Sequence, residues 1–386
     1  MAVRTPVYLD NHASTAPDPS VLEVMQRVAR DHYGNPASSG HAYGWAAAKV
    51  VEDAREHVAT LVGVSTREIV FTGGATEASN LAVLGLAAMA EVPGHLVATI
   101  LEHAAVRAPL DWLASRGWRL TIVDVGPAGV VDPDALSAAI GPDTRLVCCL
   151  AAQNEIGTLQ PIAAIGADCR GRGVPLFCDA AQAAGRVPVT AARDGVSLMA
   201  LSAHKMYGPK GVGALYVRRR DPRVTLAPLC HGGGQERGLR PGTPDVAGIA
   251  GFGEACRLAA LRQEDDARRQ RGLAERFLAR LEGGLPGVMV HGDRDRRLPG
   301  SLNLGFDGVR GASLLPALPQ LAVSSGAACS SGNGRPSAVL TALGVPSDLA
   351  AASLRLCFSR TSTADEADFA ADAIINAVRH LRDSGS

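Results

Sequence analysis

Short apolar, β-rich runs alternate with alanine-rich helical stretches along the first part of this chain, and that alternation restricts the architectures open to it. The runs are Glu68 to Phe71, Leu96 to Ile100, Leu120 to Val125, Arg145 to Leu150, Pro175 to Asp179, Leu198 to Ser202 and Gly213 to Val217. Segments between them, such as Glu77 to Met89 and Ala105 to Arg116, are long enough for crossover helices. Apolar strands separated by helices belong to an α/β fold with a mainly parallel sheet covered on both faces. At 386 residues the chain also exceeds what a single core usually supports. The charged stretch Leu258 to Leu285 reads as a long, solvated helix leading into a second region, Val288 to His380, with its own strands and a closing amphipathic helix, Ala364 to Leu381. The expected organisation is a large domain, 15–257, and a small α+β domain built from 1–14 plus 258–386.

Lysine plus arginine balance aspartate plus glutamate at 38 each, so no charged surface for nucleic acid or membrane is expected. The start, MAVRTPVYLD, lacks an apolar leader core, and no apolar run approaches membrane-spanning length, which predicts a soluble, cytoplasmic protein. The eight cysteines form no CxxC pair, so neither a zinc site nor a thioredoxin-like motif is expected. Most lie in apolar runs, as small core residues do.

Four segments carry candidate chemistry. Lys205 follows the apolar run Ser197 to Ala203 and precedes the glycine-rich GPKGVG, Gly208 to Gly213. A lysine at the end of a buried strand either snorkels to solvent or is used chemically as a desolvated, nucleophilic amine. FTGGATEASN, Phe71 to Asn80, reads as strand, glycine turn and helix start, either an ordinary helix beginning or a phosphate cradle. In PLFCDAAQAAG, Pro175 to Gly185, Asp179 ends an apolar strand with Gln182 three residues on. Asp179 either caps a helix or holds a pyridinium nitrogen protonated, as an electron-sink cofactor requires. Finally, Cys329 sits among small residues in SSGAACSSG, in what reads as a mobile loop, the setting in which a thiolate can reach a substrate.

Taken together these segments resemble the NifS/IscS-type cysteine desulfurases of the class V aminotransferase family, enzymes of fold type I that depend on pyridoxal 5'-phosphate. The resemblance runs from YLDNHAST at Tyr8 to RLCFSRTST ending at Thr363. It takes in GNPASSGHAYG at Gly34, FTGGATE at Phe71, the Glu102–His103 pair and QNEIGTLQPI at Gln153. CDAAQAAG at Cys178, SAHKMYGPKGVG at Ser202, HGGGQERGLRPGTPD at His231 and SSGAACSSG at Ser324 complete it.

The resemblance implies that Lys205 holds the cofactor as a Schiff base and moves the substrate Cα proton, while Asp179 pairs with the pyridinium nitrogen and Gln182 with the ring hydroxyl. It implies His103 as the residue stacked on the ring and the acid/base for the substrate thiol. Ala75, Thr76, Ser202 and His204 would bind the phosphate, with Thr243 reaching in from the partner subunit of a homodimer. Asn154 and Arg355 would bind the carboxylate of L-cysteine, and Cys329 would receive the sulfur as a persulfide and pass it to an acceptor protein. Selenocysteine lyases share the same lysine and cysteine, and aminotransferases and epimerases need no Cys329. A sulfur-relay scaffold with a degenerate site would lack the cofactor groups present here.

Several positions depart from the family pattern. His12 and Ser14 stand in NHAST, Gly73 and Pro241 replace common serines, and Cys357 stands near Arg355 where serine is usual. His12 lines the entrance or serves the structure. The chain stops soon after its last helix, without the long tail that docks the cluster scaffold in housekeeping IscS-type enzymes, which leaves iron–sulfur assembly, tRNA or cofactor thiolation, natural-product sulfur and DNA phosphorothioation all open.

Overall fold

A computed structural model describes residues 3–325 and 337–384; the expected mobile loop with Cys329 lies outside the described residues. The strands in chain order are β1 Val7–Tyr8, β2 Ile69–Thr72, β3 His95–Thr99, β4 Arg119–Val123, β5 Thr144–Cys148, β6 Leu176–Asp179 and β7 Leu198–Ser202, then β8 Gly213–Val217, β9 Val288–Val290, β10 Ser301–Phe306, β11 Leu321–Ala322, β12 Ser324–Ser325 and β13 Ser353–Cys357. A seven-stranded sheet has the order β2-β8-β7-β6-β5-β3-β4. Strands β3 to β7 run parallel, and only β8 is reversed, pairing antiparallel with β7 and β2. The mainly parallel α/β architecture read from the alternation is therefore present.

Alternation within each strand explains why both faces are covered. Leu198 and Ala200 join one hydrophobic core, while Met199 and Leu201 join another on the opposite face. A strand buried on both faces has no polar side, which is why β7 reads as a continuous apolar run. A four-stranded antiparallel sheet, β12-β13-β10-β9, forms a separate core with Phe277, Phe306, Phe358 and Ile374. The helix Ala364–Asp383 closes it, started by a capping box in which Thr363 and Glu366 satisfy each other's backbone amides. The N-terminal β1 pairs parallel with β11, and the chain then crosses to bridge Asp10 with Cys357.

One expectation needs correction. The long helix does not begin at Leu258 but at Val246, and it runs 39 residues to Gly284, ~58 Å at the α-helical rise. Asp245 caps it by accepting from the Gly248 amide at 2.9 Å. Its first half is buried rather than solvated: Ile249, Phe252, Ala255 and Cys256 enter a core of the large sheet. Farther along, Leu273, Phe277 and Leu281 enter the core of the small sheet. Glycine content hides this start in the sequence, because glycine disfavours helices. Here it serves packing. A Cβ on Gly253 would lie 2.6 Å from the Ala54 Cα of the helix Ala42–Val62, and one on Gly251 would lie 2.6 Å from the Met25 Cγ of the helix Pro19–Asp31.

Gly272, on the same helix, faces open space. Gly253→Ala is accordingly expected to destabilise the fold by about 1–3 kcal/mol through overpacking. Gly272→Ala is expected to stabilise it by about 0.5–1 kcal/mol. Denaturant unfolding of the two variants checks both signs.

Candidate active site

At the carboxyl ends of the parallel strands lies a cavity of about 630 Å³, the place where ligands bind in sheets of this kind. Its walls bring together Ala75, Thr76, His103, Asn154, Asp179, Gln182, Ser202, His204, Lys205 and Arg355, together with Asp10 and His12. Strand β6 delivers Asp179 at its last residue, and β7 delivers Ser202, followed by the single 3₁₀ turn Ala203–Lys205. The backbone then turns sharply through Tyr207, whose φ of 65° is unusual for a non-glycine residue. The Tyr207 amide donates to Thr15 Oγ1 at 2.7 Å, which helps hold that turn. Lys205 Nζ donates to the carbonyls of His12 and Ala13 at 2.6 and 2.9 Å.

The helix Ala75–Ala87 opens onto the same cavity. Its N-cap is Gly74, at φ 141°, and no side chain caps it. The Gly213 backbone passes so close that a Cβ there would lie 2.7 Å from the Gly74 Cα, which explains the glycine. His103 caps the next helix, Ala104–Ala114, accepting from the Ala105 amide at 3.1 Å. On the opposite wall Arg355, from β13 of the small sheet and 4% exposed, donates from Nη2 to Asp10 at 2.8 Å and to Ser324 Oγ at 3.1 Å.

Thr243 is not brought to this cavity. It borders a separate one of about 280 Å³, beside Tyr33, Asn35 and Pro36. Cys329 lies outside the described residues, and among those described no cysteine lines the cavity. Cys148, Cys149, Cys169, Cys178, Cys256 and Cys357 are buried, and Cys230 is exposed elsewhere.

Burial governs the electrostatics. It pushes the Asp179 carboxyl up, against the nearby His103 and Lys205. Burial lowers His204 to about 4, helped by Lys205 and Lys210. Burial likewise holds His12 well below its ordinary value, with Arg186 and Arg355 adding to the effect.

The aminotransferase class-V family matches residues 7–369. A protein named cysteine desulfurase IscS, from Anaeromyxobacter dehalogenans, is 46% identical over 99% of this chain and 94% of its own length. This chain belongs to the cysteine desulfurases of the class V aminotransferase family. A solved structure named NifS-like protein superposes with a TM-score of 0.90 at 34% identity, over 97% of this chain and all of that one. A second, described as SspA in complex with cysteine, has a TM-score of 0.81 at 32% identity, over 92% of this chain and all of that one.

Desulfurases of this family are pyridoxal-phosphate enzymes, and the residues present fit that group. A lysine is on hand for an aldehyde, and the buried carboxyl of Asp179 would be relieved by a cation. Gln182 donates to the His12 carbonyl at 2.9 Å, which leaves its buried Oε1 without a partner among the described residues and suited to a hydroxyl donor. An uncapped helix start suits a phosphate dianion. Nothing in the spacing singled out Asp10, the ion-pair partner of Arg355, or Arg186. The Arg186 guanidinium donates to the Asn11 carbonyl at 2.6 Å and to Cys357 Sγ at 3.2 Å. The only signal for Arg186 is a cation directly after the alanine-rich AAQAAG.

Glu102 is also buried, close enough to Asp179 for their charges to interact. Burial pushes its carboxyl up to about 8, although Thr99 Oγ1 and the Leu150 amide donate to it. A carboxyl raised in the fold adds stability below its unfolded value near 4.5, and that stability is lost as the pH rises through about 8. Glu102→Gln should therefore gain on the wild type as the pH goes from 5 to 8.5, by on the order of 3 kcal/mol. Urea unfolding at the two pH values reads this directly.

Proposed function

We propose that this chain converts L-cysteine to L-alanine, holds the released sulfur as a persulfide on Cys329, and passes it to an acceptor protein. The observation that carries this reading is the convergence of Lys205, Asp179, His103, Asn154 and Arg355 on one cavity beside an uncapped helix start. Pyridoxal phosphate, when bound, supplies an electron sink for the substrate Cα. Asp179 would keep its ring nitrogen protonated, Gln182 would meet its ring hydroxyl, and Ala75, Thr76, Ser202 and His204 would hold its phosphate.

Arg355 and Asn154 take the substrate carboxylate and fix the amino acid's orientation. This asks Arg355 to share its guanidinium between the substrate and Asp10. Lys205 moves the proton on the substrate Cα, and His103 serves as the acid/base for the substrate thiol. Cys329, as thiolate, then attacks the substrate sulfur. The new S–S bond forms as the C–S bond breaks, the electron pair stays with the amino acid, and a proton completes L-alanine. One cysteine and one thiol give one alanine and one persulfide, so no external oxidant enters.

Thr243, remote from this chain's own cavity, serves the partner's cavity in a homodimer. Residues 15–257 form the cofactor-binding domain, and 1–14 with 258–386 the domain carrying Cys329, in keeping with separate cores around the two sheets. The acceptor belongs to iron–sulfur cluster assembly or another thiolation pathway in the cytoplasm. Among the described residues no helix is long and apolar enough to cross a membrane.

Purified protein given L-cysteine and a reductant is expected to release alanine and sulfide in equal amounts. Cys329→Ser and Lys205→Ala should each fall by at least a hundred-fold. Alanine release undiminished in Cys329→Ser would point to an aminotransferase or epimerase. Strong preference for selenocysteine would point to the lyase.

A further inference from the structure

Of the histidines that line the cavity among the described residues, His12, His103 and His204, only His12 has no role in the proposed reaction. It borders the cavity and is 1% exposed. Its Nδ1 lies 2.9 Å from the Asn154 carbonyl. A carbonyl oxygen can only accept, so Nδ1 carries the proton and the neutral ring is fixed in one tautomer. Burial and the neighbouring Arg186 and Arg355 keep it neutral. The other nitrogen, Nε2, is then a bare acceptor, and it is buried with no partner among the described residues.

An acceptor left unsatisfied inside a protein costs free energy that a bound donor recovers. The residue's place says which donor. Its own carbonyl accepts from Lys205 Nζ at 2.6 Å. Residue 12 therefore lies beside the amine that an incoming amino acid's own nitrogen displaces, and the ring of His12 borders the same cavity. The substrate carboxylate, which Asn154 and Arg355 await, has no proton to give.

We propose that His12 is a substrate-binding residue whose Nε2 accepts a hydrogen bond from the amino group of the incoming amino acid. This rests on the desulfurase reading of the site. Asparagine at position 12 reproduces the Nδ1 donor toward Asn154 but lacks the far acceptor, and glutamine can present an oxygen where Nε2 stood.

The test uses the cofactor-loaded protein. It measures KM for L-cysteine, binding of L-alanine by the change in cofactor absorbance, and inhibition by 3-mercaptopropionate, which has the thiol and carboxylate but no amine. In His12→Asn, L-cysteine and L-alanine should each weaken roughly ten-fold or more, as loss of a hydrogen bond to a charged group implies. Inhibition by 3-mercaptopropionate should stay within two-fold of wild type, and His12→Gln should recover most of the loss. Equal weakening of all three ligands would overturn the proposal in favour of a carboxylate role through Asn154. Weakening of the two thiols alone would overturn it in favour of the sulfur, and no change in any ligand would make His12 packing only. If His12→Asn fails to load cofactor, a His12→Gln protein that loads but binds L-alanine ten-fold more weakly overturns it as well. Wild-type protein that makes no alanine from L-cysteine would remove the desulfurase reading itself. Normal turnover with unchanged affinities in His12→Asn would remove this inference alone.

Discussion

The buried guanidinium of Arg186 joins three stretches of chain that lie far apart in sequence. It donates to the carbonyls of Asn11 and Lys205 and to the thiol of Cys357. A guanidinium cannot shed its charge, so burying it requires acceptors on several sides. Here main-chain oxygens and a polarizable sulfur supply them. Asn11 Nδ2 in turn donates to the Cys357 carbonyl at 2.7 Å, so the N-terminal segment is stitched to β13 from both directions. That stitch places the His12 and Ala13 carbonyls against Lys205 and sets Arg355 across the cavity from the ends of the parallel strands. Remove it, and the walls of the site lose their common reference.

Low dielectric then decides the charge states around the cavity. His12 and His204 are both held neutral, and Asp179 and Glu102 are both pushed toward the protonated form. Burial makes the charged form of each of these four groups costly. Bringing in a cationic ring and a dianionic phosphate changes the sign of that problem at Asp179. The same burial makes the interaction of Asp179 with a bound pyridinium strong.

Much of the fold was legible because strands buried on both faces leave no polar residue in the run. Strand β7 and strand β8 fall at the expected residues, and the other strands of the large sheet within two residues of them. The long helix was misread at its start because Gly248, Gly251 and Gly253 lower helix propensity while permitting close helix contact, and spacing alone cannot tell these effects apart. Within the site, Asp179 and Lys205 stood out because a charge at the end of an apolar strand is chemically odd. Arg186 and Asp10 did not, since their importance lies largely in distant partners, Asn11 and Cys357 for Arg186 and Arg355 for Asp10. Thr243, which the resemblance assigns to a partner's site, borders a separate cavity in its own chain.

The pairing of the Asp10–Thr15 segment with β13 also has a bearing on how the protein is made. Residues 10 to 13 leave the ribosome early, but the surfaces they fasten to, at Lys205, Cys357 and Arg355, emerge over the whole course of synthesis. A nascent chain that has reached only β8 holds every strand of the large sheet, yet it lacks the buried half of the long helix, the cation opposite Asp10 and the carbonyl that anchors Asn11. The ligand cavity is thus a late product of translation. Chains halted before residue 355 would hold a finished parallel sheet with one side of its ligand edge exposed, a form for chaperones and proteases to recognise.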